Sequence, residues 1–422
     1  MAELEDSLLG GCRVLDLTDE KGVLCGKLLS DLGADVVKVE PPGGDRARNT
    51  DPFYQDIPHP EKSLLWFYTN LHKRSITLNI ETPDGQAIFK KLVQTADFVV
   101  ESFEPGYMES LGLGYPELEK INPGIIMTSI THFGQTGPYA HYKATDLVGV
   151  AMGGMVYIYG EMDRPPNRLS CPQFYFLGGL HGATGSMVAH YYRELTGIGQ
   201  HVDVSCQQAV VLSLMIVAEI WDMLKFNYRG MGAFYAGARP GGLPLFSRVI
   251  YPCKDGHVFL LVTGASQAGM VASSKALVEM ANSEGLALEL KDYPWQTIDA
   301  ATISQEELTR LTDNIYEFIK TKTKAELFEA ALEKGILLSP ITTVKDVVES
   351  PQLAARGFWE NVEHPELGTT ITYPGYPIKI SGHPCKVRRR PPFIGEHNEE
   401  IYAGELGFSE RELAALKKRG VI

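Results

Sequence analysis

The sequence predicts an α/β protein with a parallel, Rossmann-like sheet. Three observations carry that reading. The chain opens with a strand–helix–strand unit, and strand-like and helical patterns then alternate through its first half. At 422 residues, 44% hydrophobic and 22% charged, it also has the length and composition of a globular chain with more than one core.

Residues 12–17 (CRVLDL) form a short apolar run with strand character. Residues 23–32 are helical and closed by Gly33, and residues 34–40 (ADVVKVE) make a second strand stopped by Pro41, Pro42, Gly43 and Gly44. Such a unit of about thirty residues implies parallel strands joined by a right-handed crossover. It holds no G-x-G-x-x-G, so a dinucleotide is not indicated. Residues 74–80 give the next strand. Thr82 is placed to cap a helix that has Pro83 in its first turn and runs to about residue 95. Residues 97–101 and 125–130 read as strands, 180–195 as a helix and 201–204 as a strand. Residues 207–224 read as one long helix, apolar nearly all round, suited equally to a core or an interface.

The character changes at residue 226, where glycine, tyrosine, arginine and proline crowd into a loop-like stretch reaching residue 256. A strand pattern at 257–262 and amphipathic helices, including 305–312 and 324–333, follow. From residue 336 strand and proline character returns, and 409–418 makes a last helix. No internal repeat is visible.

The net charge of −13 argues against nucleic acid or an anionic membrane as partner. The one cationic run, residues 386–390, reads as a solvated rim. Six cysteines are scattered with no C-x-x-C, so neither a zinc site nor a disulfide framework is expected, and the metal assignment is none. An acidic start without a long apolar run is not read as a signal peptide, and a cytoplasmic protein is expected.

The stretch 169–200 draws attention as a site. Phe174, Tyr175 and Phe176 form an aromatic segment that meets Gly178 and Gly179 before the helix of 180–195. An extended segment opening through glycines onto a helix start gathers backbone N–H donors beside a reactive side chain. Yet no carboxylate lies between Arg164 and Arg193, and Cys171 and the hydroxyl residues are the only other nucleophiles there. Cys171 is read as a small packed residue, and His181 and His190 as satisfied helix histidines.

Ordered blocks along nearly the whole chain resemble the class III CoA-transferases, the family of formyl-CoA transferase, carnitine CoA-transferase and α-methylacyl-CoA racemase. They are 14–17 (VLDL), 32–45 (LGADVVKVEPPGGD), 73–78 (KRSITL), 82–85 (TPDG), 104–106 (EPG), 133–139 (FGQTGPY), 193–200 (RELTGIGQ), 353–359 (LAARGFW) and 394–398 (IGEHN). The resemblance implies a Rossmann-like large domain built from both chain ends, 1–225 and 336–422. A smaller α+β domain, 226–335, would be inserted between them, and two such chains would thread into an interlocked-ring dimer. It also implies coenzyme A thioesters as substrates and no tightly bound cofactor.

A family transferase attacks an acyl-CoA thioester with an aspartate, passing through a mixed anhydride and an enzyme thioester that must be kept from water. Ungapped counts from both flanking blocks put that aspartate at Tyr175. A phenol with a reference pKa near 10 cannot form the anhydride, so no catalytic residue is assigned. The racemase histidine position is Thr145, followed by Asp146, which is read as structural. For CoA binding the resemblance points to Lys21, Gly22, Lys73, Arg74, Phe103 and Lys143. Ser102 and Ser110 replace a family asparagine and arginine, and Asp19 and Glu20 bring unusual acids to the turn. Gly241 and Gly242 fall in the family's glycine-rich loop and, with Phe174 and Tyr175, are the candidate substrate pocket.

The implied function is a catalytically silent subunit of a heteromeric transferase, with the aspartate on a homologous partner. The two-subunit succinyl-CoA:benzylsuccinate CoA-transferase is the family arrangement it most resembles. A self-sufficient transferase, lyase or isomerase using His181 or Tyr175, and a non-enzymatic CoA-ester-binding scaffold, remain as alternatives.

Overall fold

The computed structural model describes residues 7–237, 245–262, 268–299, 302–383 and 385–422, and the chain divides into two compact units. The first comprises residues up to Val156, 168–226 and 352–422; the second comprises 157–167 and 227–351. The chain therefore leaves the second unit later than residue 336. Residues 338–340 add a strand to that unit's own sheet and hold the chain there.

The first unit begins with β1 (Arg13–Asp16), α1 (Val23–Asp31), β2 (Asp35–Glu40), β3 (Arg74–Thr77), α2 (Pro83–Val93), β4 (Phe98–Glu101) and β5 (Ile126–Thr131). It continues with α3 (Asp146–Met152), α4 (Gln173–Thr196), β6 (His201–Ser205), α5 (Cys206–Ser213) and α6 (Val217–Leu224). The six strands are all parallel, in the order β3-β2-β1-β4-β5-β6. The order reverses between β1 and β4, and ligands of such sheets bind outside the carboxyl ends of the strands at that point.

Successive residues of each strand face opposite sides. Leu15, Val37, Val99 and Met127 enter one core with Phe89 of α2 and with Ile401 and Tyr402. Val14, Val36, Phe98 and Ile126 enter another with Cys25 and Leu29 of α1 and Phe174 and Ala183 of α4. Burial on both faces is why these strands read as unbroken apolar runs. Thr82 caps α2 through the Gly85 N–H at 3.0 Å, as its position before Pro83 indicates.

The extended segment expected before Gly178 is absent. α4 is one helix of 24 residues beginning at Gln173, with Gly178 and Gly179 inside it. Glycine inside a helix costs about 1 kcal/mol relative to alanine, so its use here needs a packing reason. A Cβ on Gly178 would run into the Cys206 sulfur of α5, and one on Gly182 would stand 2.6 Å from Ile130 of β5. The glycines provide clearance for crossing helices, not a turn.

The single helix expected over 207–224 is also replaced, by α5 and α6 bent 69° apart. The break falls at Met215, whose φ of 54° puts it in the left-handed region, and no glycine or proline marks it in the sequence. α5 buries Cys206, Ala209 and Val210, whereas α6 buries nothing. No single described helix is long and apolar enough to cross a membrane.

In the second unit, β7 (Phe234–Gly237) pairs antiparallel with β8 (Leu245–Arg248). β9 (Ile250–Cys253) and β10 (Gly256–Leu260) follow, then α7 (Ala268–Ser283), α8 (Gln305–Ile319), α9 (Lys324–Lys334) and β11 (Leu338–Pro340). Three strands thus lie within a stretch that glycine and proline made look like loop. The sheet order is β11-β10-β9, over a core that includes Tyr251, Trp295 and Phe318. α8 runs past residue 312 because Ile315, Phe318 and Ile319 extend its buried stripe.

Back in the first unit, β12 (Trp359–His364) and β13 (Thr369–Pro374) pair and pack Val362 and Tyr373 against Trp66 and Phe67. α10 (Glu410–Lys418) closes the chain with a Ser409–Glu412 capping box. Lys386 and Arg389 of the cationic run are exposed, but two of its arginines are held by the protein. Arg388 donates to the Ser30 carbonyl at 2.8 Å, and Arg390 pairs with Glu396 at 2.8 Å.

Helix propensity alone would make Gly178→Ala stabilising by up to about 1 kcal/mol. The Cys206 contact predicts the opposite sign, a loss of roughly 1–3 kcal/mol in urea unfolding. Adding Cys206→Ala to that variant removes the obstructing sulfur and recovers part of the loss.

Candidate functional site

The carboxyl end of β1 is held by a buried charge cluster. Asp16 is fully buried and receives Lys73 Nζ at 2.7 Å, the Thr18 N–H at 2.9 Å and the Thr18 hydroxyl at 2.6 Å. Burial acts to raise its pKa, but the Lys38 and Lys73 ammonium groups outweigh it and hold the carboxyl at about 2. Lys38 also reaches Asp45 at 3.1 Å and donates to the Thr18 carbonyl. β1, β2, the start of β3 and the turn at residues 18–22 are thereby tied together.

Two expected ligand contacts are instead spent on ion pairs within the protein. Lys73 is wholly buried against Asp16. Arg74 starts β3 at the amino edge of the sheet, where it pairs with Asp35, with Glu400 at 2.8 Å and with Glu405 at 2.6 Å. Neither side chain is left to bind CoA. Gly22 packs against Thr18 and donates its N–H to the Asp19 carbonyl, starting α1 instead of lining a ligand space.

Outside the carboxyl ends of β1–β4 lies a crevice of about 710 Å³. Its lining combines apolar Leu17, Val39, Leu78, Ile80 and Phe103 with charged Lys21, Arg46, Asp19 and Glu104. Phe103 is set by its N–H, which donates to Glu101 at 2.7 Å, and its ring lies 4.7 Å from that of Tyr107. The Asp19–Glu20 acids are balanced within the protein. Lys21 pairs with Asp19, and Arg46 pairs with Asp19 at 2.6 Å and Glu20 at 2.9 Å. Burial works against ionisation of Asp19, yet Lys21 and Arg46 leave its pKa below the usual range. Ser102, in the place of the family asparagine, bonds Asp19 at 2.8 Å. Ser110 turns back to the Tyr107 carbonyl at 2.7 Å. Lys143 is exposed at the rim, 3.6 Å from Glu104.

The first turn of α4 meets the same turn of residues 18–22. Asp146 accepts the Phe174 N–H at 2.9 Å and a bond from the Tyr175 backbone, so it caps α4 and stations Tyr175 at the helix start. Burial nonetheless raises the Asp146 pKa. Tyr175 is half-buried, its hydroxyl 3.5 Å from the Ala144 carbonyl. Burial first, and then the charges of Glu20, Asp19 and Asp146, push its phenol well above the ordinary range, so it stays protonated. Phe174 is no pocket residue. It is fully buried, packed where a Cβ on Gly149 would collide with its ring. Gly241 and Gly242 lie outside the described residues.

Two residues that sequence reasoning passed over belong to this site. His132 follows β5 directly, stacks on Phe174 at 6.0 Å and lies 6.1 Å from the Tyr175 ring. Its Nε2 is buried without a hydrogen-bond partner among the described residues, and burial, reinforced by Lys21, lowers its pKa to about 4. Arg46 balances the acids. Both follow the carboxyl end of a sheet strand, a position that itself flags ligand contact in α/β folds. The described residues hold no cluster of side chains arranged for a metal ion.

A doubly wound α/β unit with a crevice at its reversal point, lined by both apolar and charged side chains, defines a ligand-binding protein of the Rossmann-like class. The chain belongs to CoA-transferase family III, whose model matches residues 9–398. It is 34% identical over 411 residues to the succinyl-CoA:(R)-benzylsuccinate CoA-transferase subunit BbsE of Thauera aromatica, covering 97% of each chain. A formyl-CoA:oxalate CoA-transferase of Streptomyces avermitilis is 35% identical over 98% of this chain and 99% of its own. A CAIB/BAIF family protein from Brucella suis superposes with a TM-score of 0.78 at 29% identity, over 94% of this chain and 99% of that one. Family membership gives this chain a transferase role with CoA thioesters as substrates.

Glu101, buried beneath Phe103, gives this site a pH signature. Burial lifts its pKa from 4.5 to about 7, against the Ser129 and Phe103 hydrogen bonds that lower it. A carboxyl whose pKa rises on folding favours the folded state least once it must ionise. That cost is absent below about pH 4.5 and complete above about pH 7. Glu101→Gln is expected to raise thermal stability at pH 8, by on the order of 2 kcal/mol, and to leave it little changed at pH 4.5.

Proposed function

We propose that this chain is the catalytically silent subunit of a heteromeric CoA-transferase. The complex would move CoA from a donor such as succinyl-CoA to a carboxylic acid such as an aromatic succinate, in the cytoplasm. The observation that carries the reading is the protonated phenol of Tyr175 at the helix start where the family nucleophile is expected. Attack on a thioester there requires a carboxylate whose acyl anhydride can be reopened by CoA thiolate, and a phenol does not supply one. The carboxylates beside it are engaged: Asp19 and Glu20 with Lys21 and Arg46, Asp146 with the α4 backbone. The partner's aspartate would carry the acyl group. This chain's crevice would seat a CoA ester, with Phe103 and Lys21 as contacts and Lys143 at the rim.

The surface supports a homologous partner. Val188, Tyr191 and Leu195 of α4, Leu212 of α5, and Met215, Ile216 and Met223 beyond it are 63–79% exposed. A chain seldom leaves apolar side chains so exposed across neighbouring elements unless another surface covers them, and an interlocked pair would do so. Two similar proteins are named as subunits, BbsE of Thauera aromatica and the succinyl-CoA–L-malate CoA-transferase beta subunit of Chloroflexus aurantiacus. One observation favours a self-sufficient enzyme instead. Asp146 stands beside Tyr175 with a raised pKa and could take an acyl group if it left its cap.

The chain is to be assayed for CoA exchange from succinyl-CoA alone and with a homologous aspartate-bearing subunit. Activity is expected only in the pair, abolished by changing the partner's aspartate. Exchange by the chain alone that Asp146→Asn removes would establish the self-sufficient reading. Tyr175→Asp in the lone chain is expected to stay inactive, because Ser110 and the paired Asp19–Glu20 turn still differ from an active member.

A further inference from the structure

The second unit forms an open pocket of about 600 Å³ that the proposed chemistry does not use. Residues 157–167, the strand approach at 228–234 and strands β8–β10 form its walls, so it lies wholly within that unit. Its lining includes the aromatic side chains of Tyr159, Tyr228 and Phe234. Arg229, Arg248 and one acid, Glu161, reach the same space.

Arg248 is half-buried, and its guanidinium lies 4.9 Å from the Phe234 ring, 5.5 Å from Tyr316 and 5.9 Å from Tyr251. Among the described residues no carboxylate comes within ion-pairing distance of it, and its N–H donors make no hydrogen bond. Arg229 gives one N–H to the Met162 carbonyl at 2.6 Å and, among the described residues, has no acidic partner. A cation drawn partly out of water without a counter-charge is unfavourable, and the rings that shelter it cannot satisfy its donors. The stack does hold the planar fork in one orientation, which is the arrangement that takes a carboxylate through two parallel bonds. Volume and lining fit a small organic ligand. Two guanidinium groups against Glu161 leave one positive charge in excess, which favours a monoanion over a dianion.

We propose that this pocket is a binding site for an aryl-substituted monocarboxylate, its carboxylate on Arg248 and Arg229 and its ring against Tyr228 and Phe234. The site is independent of whether the chain is catalytically silent, because it is read by equilibrium binding and not by turnover.

The test is calorimetric titration of the full-length chain with 3-phenylpropionate. Saturable binding of one molecule per chain is expected. It should be at least tenfold weaker for 3-phenylpropionamide, which keeps the shape and lacks the charge, and at least tenfold weaker in Arg248→Gln. Arg248→Lys keeps the charge without the fork and should fall between. Absence of saturable binding, equal binding of the amide, or displacement of the acid by excess coenzyme A would overturn the proposal. So would unchanged affinity in Arg248→Gln with an unaltered melting curve. Should Arg248→Gln fail to fold, exposed Arg229→Gln and the acid–amide comparison decide: weaker acid binding in that variant supports the site, and equal binding overturns it.

Discussion

The buried carboxylate of Asp16 is the constraint on which the first unit depends. It sits at the end of a central strand with no access to solvent, so its charge exists only because Lys38 and Lys73 converge on it. Removing one member of such a group leaves the others uncompensated, which costs roughly 3–5 kcal/mol in comparable buried pairs. The cluster also shapes what lies above it. Thr18 is bonded to Asp16 through both its N–H and its hydroxyl, and Lys38 holds the Thr18 carbonyl. The turn from Asp19 to Gly22 therefore leaves the sheet in a fixed direction. Because the Asp16 pKa is lowered, this stabilisation is complete above the ordinary carboxylate pKa near 3.8 and fades only as pH falls toward 2.

That fixed turn connects the two halves of the site. On one side it lines the crevice with Lys21 and Asp19; on the other its charges act on Tyr175 and His132. The helix that carries Tyr175 reaches the turn because glycines let it press onto its neighbours. Its first turn is aimed by Asp146, and Phe174 and His132 fill the space behind. The side chain at that helix start is a phenol kept neutral by burial and by nearby negative charge.

Much of the parallel sheet was legible, because strands buried on both faces announce themselves as apolar runs and Thr82-Pro83 as a helix start. The misreadings have a common physical cause. Gly178 and Gly179 read as a turn because sequence alone does not distinguish glycine chosen for φ from glycine chosen for clearance. The break at Met215 has no local signal at all. β7, β8 and β9 were hidden by glycine and proline content. In the site, the aromatic start of α4 stands out in the sequence, but the buried roles of Lys73 and Arg74 do not. A basic pair looks the same in sequence whether it faces a ligand or a buried carboxylate, and both residues here neutralise acids distant in the chain, Asp16 at one end and Glu400 and Glu405 at the other.

The pairing of Arg46 with Asp19 and Glu20 has a consequence for any polyanion entering the crevice. The cations there already have partners, so binding is an exchange in which the incoming phosphate takes a place held by a carboxylate. The net gain per contact is a difference between two attractions, not a whole one, and added salt weakens both sides of that difference. Affinity for such a ligand is then governed by its apolar and stacking parts, and its dependence on ionic strength is shallow for a ligand of that charge.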